Sequence, residues 1–286
     1  MIKITKENIA NADIDIFGEW IKTPTLMVQP NPFKHCIISN FFKDSFYEKI
    51  IQDYPECPDN MWHQYSNPLE VKFALDDFNQ FSSNLKNVFF SLSHPSIINF
   101  FENLFDIRKM TYDKFCNGGG LHIYPTNGRL NIHLDYEKHP ILQNMQRRLN
   151  IIIYINQFWK TEWNGDTQLW SKDLKECCVS SYPQRNTALV FETTEESWHG
   201  LPNKIKCPDN IFRKSIAYYY ISELDSASLT NKSGADETGY RHKAVFTKLP
   251  SDPYDDRMKK LYDIRPIRRI TKEDMNQIWP EWRPEI

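Results

Sequence analysis

From Leu121 onward the sequence becomes a series of short β-type runs separated by turn residues. Turn-rich pieces such as Trp163-Asn-Gly-Asp and Tyr182-Pro-Gln-Arg-Asn lie between the runs. Several short strands at this spacing are typical of a double-sheet jelly roll or a barrel. The predicted strands are Leu130–Tyr136, Arg148–Asn156, Thr167–Trp170, Thr187–Phe191 and Arg213–Ile221.

Helical patterns precede these runs. A short strand is predicted at Cys36–Asn40, and a helix at Phe42–Tyr54, where apolar residues recur every four positions. Two more helices are predicted within Phe81–Phe105, with a break near His94-Pro95. The triple glycine Gly118–Gly120 marks the change to β structure. The predicted fold class is therefore mainly β with flanking helices (α+β), with the strands in a jelly roll or barrel.

These changes divide the chain into three predicted parts. Residues 1–32 form an N-terminal lead-in. Residues 33–223 form the main domain, with helical support over 33–117 and the jelly-roll core over 118–223. A charged tail without predicted strands follows over 224–286, and together with nearby loops it is expected to shape a substrate entrance.

Composition narrows the class of protein. The chain has 286 residues, 40% hydrophobic and 14% aromatic, which is enough for a substantial core and excludes global disorder. A net charge of -2 points to no nucleic-acid partner, and no apolar stretch is long enough for a membrane span. The six cysteines form no CxxC pair, and the N-terminus lacks the apolar core of a secretory signal. Reduced thiols and a cytoplasmic location are expected, while oligomeric state is not indicated.

Two histidines and one aspartate form a candidate metal site. His133 and Asp135 make a His-x-Asp pair on a predicted strand, so both side chains point to the same side. His199 lies far downstream, at the end of a strand-like region. Two imidazoles and one carboxylate can hold non-haem Fe(II) on one face and leave the other positions open. The pattern therefore predicts an oxygen-activating enzyme.

Arg213 opens the last long predicted strand. A cation buried there is costly without an anionic partner. A carboxylate of a bound cosubstrate would supply that partner in bidentate form.

These residues, in the stretches GGGLHIYPTNGRLNIHLDY, RRLNIIIYIN, FETTEESWHGLP and RKSIAYYYIS, resemble the Fe(II)/2-oxoglutarate-dependent dioxygenases, specifically the prolyl 4-hydroxylase-like branch. The resemblance covers roughly residues 33–222. It implies a double-stranded β-helix fold, a cupin-like jelly roll. It also implies iron ligands at His133, Asp135 and His199. It implies 2-oxoglutarate contacts at Arg213, Tyr154, Tyr124 and Ser215.

The same resemblance implies a reaction. The family consumes 2-oxoglutarate and O2 with Fe(II), releases succinate and CO2, and hydroxylates an aliphatic carbon, here a prolyl residue or a similar carbon of a peptide or small molecule; ascorbate is an optional reductant. The carboxylate of Asp135 favours hydroxylation over halogenation. Two alternatives stay open: a non-catalytic jelly-roll module that holds a metal, and a nucleic-acid demethylase, which typically has a second arginine where this chain has Tyr219.

Other charged and aromatic residues receive structural interpretations. We expect a structural role for His94, His139 and His242. For His122, beside the triple glycine, a functional role is the minor alternative. Arg147 and Arg148 are interpreted as a solvated strand edge, and the arginines of residues 265–269 as a solvated helix face. Tyr218–Tyr220 are expected to alternate between core and surface.

Overall fold

Three α-helices between residues 44 and 105 precede most of the strands, as the sequence pattern predicts, and a short helix in the N-terminal lead-in was not predicted. A computed structural model describes residues 2–22, 26–56, 58–224, 241–250, 252 and 254–283. Cys57 and the first part of the predicted tail, residues 225–240, lie outside the described residues. The α-helices are α1 (Lys6–Ala10), α2 (Asp44–Asp53), α3 (Ser83–Leu92), α4 (Pro95–Phe105), α5 (Asp256–Ile264) and α6 (Lys272–Ile278).

Local capping explains the break between α3 and α4. The side chain of Ser82 accepts a hydrogen bond from the backbone N–H of Leu85 at the start of α3. His94 caps α4 in the same way, and Pro95 occupies the first turn, where it needs no hydrogen-bonded N–H. The predicted break at His94-Pro95 is therefore confirmed.

Thirteen strands in the described part of the chain form one sheet. They are β1 (His35–Ser39), β2 (His63–Asn67), β3 (Glu70–Leu75), β4 (Thr111–Tyr112), β5 (Gly120–Tyr124), β6 (Arg129–Leu134), β7 (Met145–Tyr154), β8 (Thr167–Trp170), β9 (Cys177–Ser181), β10 (Thr187–Glu192), β11 (His199–Leu201), β12 (Arg213–Glu223) and β13 (Val245–Phe246). Their order is β1-β10-β7-β12-β5-β3-β6-β11-β8-β9, with β13 on β6, β2 on β3 and β4 on β12. The mostly antiparallel, nearly closed sheet is a jelly roll, and the predicted fold class is confirmed.

The helices cover one face of the sheet. The main core cluster joins residues of the helices to inward residues of the central strands, including Tyr47, Phe89, Ile151 and Tyr218. Tyr218 and Tyr220 on β12 both point into this core. Tyr219 points the other way into a cavity, so the expectation that it faces the outer surface is wrong.

The tail adds a strand, contrary to the prediction that strands end near residue 224. Val245 and Phe246 form β13, which pairs with Leu134 and His133 of β6. Phe246 then packs with Leu69, Leu261 and Met275 in a separate apolar cluster that links the tail to the sheet. Two residues are too short a run for an alternating pattern to reveal a strand. The predicted division into lead-in, domain and tail stays a prediction.

None of the helices within the described ranges combines the length and apolar character that a bilayer crossing requires.

Candidate functional site

Three side chains meet where β6 and β11 lie side by side. His133 of β6 and His199 of β11 are register partners, which brings their rings to 4.4 Å between centroids. Asp135 follows one residue beyond the end of β6, not within the strand as predicted. Its carboxylate nevertheless joins the two imidazoles, and the nearest ligand atoms of the three residues lie within 4.8 Å of one another. All three side chains are buried.

Backbone carbonyls fix the tautomer of both histidines. His133 Nδ1 lies 2.9 Å from the carbonyl oxygen of Asn131, and His199 Nδ1 lies 2.8 Å from that of Ser197. A carbonyl can only accept, so Nδ1 carries the proton in each ring and Nε2 keeps a lone pair. Each Nε2 lies 3.8 Å from a different oxygen of Asp135. Metal-bound histidines in proteins are commonly oriented by such outer hydrogen bonds.

The protonation states also suit a metal. Burial, together with the nearby His199, lowers the pKa of His133 to about 3, and burial lowers the pKa of His199 as well. Both rings are therefore neutral near pH 7. Two neutral imidazoles and one carboxylate are a donor set that suits divalent iron. The residues present fit the predicted ion.

Two further polar residues hold the carboxylate of Asp135. Arg147 Nη1 lies 3.2 Å from Oδ1, and the Asn150 amide donates to Oδ2 at 3.2 Å. Burial alone would raise the pKa of Asp135, but the charge of Arg147, with smaller contributions from His199 and His133, outweighs burial and lowers it. Asp135 is therefore ionised, and its contacts with Arg147 and Asn150 fix the orientation of its carboxylate.

Arg147 is deeply placed, and the expectation that it belongs to a solvated strand edge is wrong. Its strand, β7, is central, because it pairs with both β10 and β12. The guanidinium lies between the rings of Tyr136 and Tyr219, at 3.6 and 3.5 Å from their centroids. It also donates to the carbonyl of Asn117 at 2.9 Å. Alternation on a central strand directs this cation toward the cavity.

Arg213 presents a guanidinium with open donors. It is 2% exposed, and it donates through Nε to Gly165 O (2.7 Å), through Nη1 to Ser215 Oγ (3.3 Å) and through Nη2 to Thr167 Oγ1 (2.9 Å). Of its five N–H donors, one therefore remains on each terminal nitrogen. Within the described ranges no carboxylate lies at ion-pair distance. This fork fits a bidentate carboxylate such as that of 2-oxoglutarate.

The other three predicted cosubstrate residues surround Arg213. Tyr124 and Ser215 line the cavity, and the Tyr124 ring lies 4.9 Å from the guanidinium carbon. The Tyr154 ring lies 5.1 Å from it on another side. The hydroxyl of Tyr154 points to Ser181 and Thr167, at 3.0 to 3.1 Å, and the residue is fully buried. In this arrangement Tyr154 supports Arg213 rather than lining the cavity.

One cavity of about 550 Å³ contains the triad and the Arg213 fork. His122 lines it, as its placement beside the triple glycine suggested, and so does His242, which was expected to be structural. His94 and His139 lie elsewhere: His94 caps α4, and His139 pairs with Asp113 at 3.0 Å. The cavity is large enough for a cosubstrate and a small substrate group together.

The tail forms part of the cavity wall. Phe246 stacks on the ring of His133 at 4.9 Å, and Arg265, which lines the same cavity, forms an ion pair with Glu70 at 2.9 Å. Arg265 is buried, so its assignment to a solvated helix face is wrong. Arg241, 1% exposed, donates to the carbonyl of Asp135 at 3.3 Å and pairs with Glu137. The tail is thus in contact with two of the three candidate ligands.

Sequence reasoning missed the hairpin of β2 and β3. His63, Tyr65, Glu70 and Lys72 all line the cavity from this hairpin. The alternation of Glu70 and Lys72 with the apolar Val71 and Phe73 on β3 was the available signal. The preceding strand, β2, is polar on both faces and resembles a loop.

Comparison with known proteins places this geometry in a family. Residues 119–221 match the family model described as the 2OG-Fe(II) oxygenase superfamily, and this range contains the triad and Arg213. The core of this chain is therefore similar to the 2OG-Fe(II) oxygenase superfamily. The family's cofactors are Fe(II) and 2-oxoglutarate, used with O2, which agrees with the expectation from the sequence. The search of curated proteins found no match to this chain.

Solved structures of similar fold include three oxygenases. A Pseudomonas putida prolyl-4-hydroxylase has 11% identity and a TM-score of 0.50, over 66% of this chain and 93% of that one. A Trichoplax adhaerens prolyl hydroxylase, in complex with a hypoxia inducible factor peptide fragment, has 17% identity and a TM-score of 0.48, over 65% and 82%. HygX from Streptomyces hygroscopicus, with nickel, 2-oxoglutarate and hygromycin B bound, has 8% identity and a TM-score of 0.44, over 66% and 83%. The Pseudomonas putida similarity supports the jelly-roll fold, and the substrate must be argued from this chain's own residues.

Proposed function

We propose that this 2OG-Fe(II) oxygenase hydroxylates an aliphatic carbon, with His133, Asp135 and His199 as iron ligands and Arg213 as the residue that binds the distal carboxylate of 2-oxoglutarate. The observation that carries the proposal is the convergence of two donor sets on one cavity. Neutral Nε2 atoms and an ionised carboxylate face it from one side, and an arginine fork with two open N–H groups faces it from another.

The chain's own residues have distinct tasks. When bound, iron and 2-oxoglutarate supply the oxidising chemistry, in which O2 is consumed, 2-oxoglutarate becomes succinate and CO2, and a substrate C–H becomes C–OH. The histidines and Asp135 supply three ligands and leave further positions open. Ser215 and Thr167 orient the Arg213 fork. Arg147 and Asn150 keep Asp135 ionised and fixed.

The test measures iron binding and succinate formation in parallel. Wild-type protein loaded anaerobically with Fe(II) and then given 2-oxoglutarate and O2 should form succinate slowly. His133→Ala should lose both iron binding and succinate formation. His94→Asn is the matched control, because His94 only caps a helix and asparagine caps well; it should behave as wild type. Iron binding that survives in His133→Ala would contradict the ligand assignment.

The same assay separates the alternatives. A module that only holds a metal would bind iron without ever forming succinate, including in the presence of candidate substrates. A nucleic-acid demethylase has less support, since the position of its second arginine is Tyr219, whose ring stacks on Arg147. Peptidyl proline, the substrate class of the prolyl hydroxylases of similar fold, belongs in the first substrate screen.

A cytoplasmic location belongs to this proposal as well. Five of the six cysteines lie in the described part of the chain, and all five are free. Free thiols and divalent iron are both compatible with a reducing compartment. Cell fractionation tests this, and recovery of the protein from an oxidising compartment would contradict it.

A further inference from the structure

The end of the cavity formed by the β2–β3 hairpin has its own cluster of side chains, here named the Tyr65 subsite and defined as His63, Tyr65, Lys72 and Arg269. Tyr65 and Lys72 are register partners on β2 and β3, and both line the cavity. Lys72 Nζ lies 5.0 Å from the Tyr65 ring centroid, and Arg269 Cζ lies 5.4 Å from it. Arg269 also donates to His63 Nε2 at 3.2 Å. Two cations therefore share one aromatic ring.

The carboxylates that line the cavity are already paired. Asp135 contacts Arg147, Glu70 contacts Arg265 at 2.9 Å, and Asp76 contacts Lys3 at 2.7 Å. Over the described ranges, neither Lys72 nor Arg269 has a carboxylate within ion-pair distance, and Lys243 at the same cavity lacks one too. The cavity wall thus has a surplus of positive charge at this end.

Both cations of the Tyr65 subsite are positively charged near pH 7. Burial disfavours the charged form of Lys72, but Tyr124 and Glu70 favour it more strongly and raise its pKa. Burial and the charge of Arg269 lower the pKa of His63, so this imidazole is neutral and accepts from Arg269. An anion from outside can therefore pair with a charged ammonium and a charged guanidinium at this end of the cavity.

The Tyr65 subsite is separate from the Arg213 fork. Arg213 is anchored by Gly165, Thr167 and Ser215, on strands β8 and β12 and the turn before β8. The subsite is formed by the hairpin and the tail, and Arg269 and His63 are exposed at its outer side. A ligand entering from solvent meets these cations before it reaches the triad.

We propose that the substrate of this enzyme carries an anionic group, a carboxylate or a phosphate, which Lys72 and Arg269 bind beside the Tyr65 ring. This inference rests on the proposed function, because it names the substrate class of the same cavity. The carbon to be hydroxylated lies between that anion and the triad. The hairpin and tail therefore select acidic substrates, and a neutral analogue leaves Lys72 unpaired.

The first experiment measures anion binding without turnover. Anaerobic protein saturated with Fe(II) and 2-oxoglutarate is titrated with inorganic phosphate by calorimetry at low salt. Wild type should bind, and Lys72→Met and Arg269→Gln should each bind about tenfold more weakly or worse, since hydrogen bonds between charged groups are among the stronger ones. Lys175→Met and Arg283→Gln are matched controls, because both residues are exposed and lie outside the cavity.

Three outcomes overturn the proposal. Wild type that fails to bind phosphate, or variants that bind it as well as wild type does, would exclude the subsite. A loss of 2-oxoglutarate affinity parallel to the loss of phosphate affinity would mean that the cations serve the cosubstrate. Unchanged 2-oxoglutarate affinity and unchanged thermal unfolding in the variants support a distinct subsite in a folded protein.

The second experiment identifies the anion and needs turnover. Carboxylic acids and phosphate monoesters, each paired with its neutral amide or alcohol, are screened for stimulation of succinate formation. Charged members should stimulate and neutral partners should not, and the better series identifies the group. Equal stimulation by neutral partners overturns the proposal. If no succinate forms under any condition while phosphate still binds, the proposed function fails and the anion subsite stands.

Discussion

The two ends of the cavity differ in how firmly their functional groups are held. One end of the cavity, here called the iron end, contains His133, Asp135, His199 and Arg213. There a backbone carbonyl orients each histidine ring, two donors hold Asp135, and three acceptors hold Arg213. At the Tyr65 subsite, Lys72 contacts the ring of Tyr65, and the side chain of Arg269 is exposed to solvent. Preorganised groups suit a reaction that is the same at every turnover. Less constrained groups suit a ligand that binds and dissociates. We therefore expect the iron end to carry the reaction and the Tyr65 subsite to select the substrate.

The largest expected effect comes from removing a ligand at the iron end. His199→Ala should weaken iron binding by more than about a hundredfold, because loss of an outer-shell partner alone costs 10–100-fold. Equilibrium dialysis of iron under anaerobic conditions measures this. Phosphate binding at the Tyr65 subsite, measured with metal-free protein, should not change. A parallel loss of phosphate binding would show that the two ends are one coupled unit.

Removal of the Arg213 guanidinium should weaken 2-oxoglutarate binding and leave iron binding nearly unchanged. Arg213→Met should weaken 2-oxoglutarate binding on the order of a hundredfold, since truncating one partner of a buried charge pair costs 2–5 kcal/mol. Anaerobic titration of the iron-loaded protein with 2-oxoglutarate checks this. Iron affinity without cosubstrate should stay within a fewfold of wild type. Normal 2-oxoglutarate affinity in this variant would refute the assigned role of Arg213.

Substitution of Arg147, which contacts the carboxylate of Asp135, should have an intermediate effect on iron affinity. Arg147→Met should reduce iron affinity about 10–100-fold by releasing the carboxylate from its orienting partner. Arg147→Lys keeps the charge but loses the planar fork, so it should recover only part of the affinity. If both variants bind iron like wild type, Arg147 does not position the ligand.

The smallest expected effect is on anion binding at the Tyr65 subsite. Tyr65→Leu removes the ring shared by Lys72 and Arg269, and it should weaken phosphate binding about two- to fivefold, since an exposed cation–π contact contributes about 0.5–1 kcal/mol. Iron and 2-oxoglutarate affinities should not change. A larger loss than that of Lys72→Met would assign the ring, not the ammonium, the leading role.

The convergence of His133, Asp135 and His199 could be predicted because its sequence signals are local. The His-x-Asp spacing needs only strand alternation, and the strand that begins at Arg213 is long and apolar. The one local error, Asp135 beyond the end of β6, did not alter the outcome, because a ligand needs to reach the ion and not to lie within the strand.

The Tyr65 subsite and the buried arginines of the cavity could not be predicted because their sequence patterns are ambiguous. A polar β2 that lines a polar cavity has the same composition as a surface loop. Arg147 and Arg265 have the same neighbours in sequence as solvated arginines, and only the long-range pairs with Asp135 and Glu70 show that they are interior. Charge pattern alone does not tell a solvated face from a cavity wall.

The contact of the tail with the iron end has a consequence for the order of synthesis. Phe246 and Arg241 cover His133 and Asp135, yet the ribosome adds them after all three ligand residues. Chains fold from the N-terminus as they emerge. A nascent chain therefore carries its complete ligand set before the residues that cover it exist. The side chains that pack over His133 and Asp135 are therefore the last part of the candidate metal site to be synthesised.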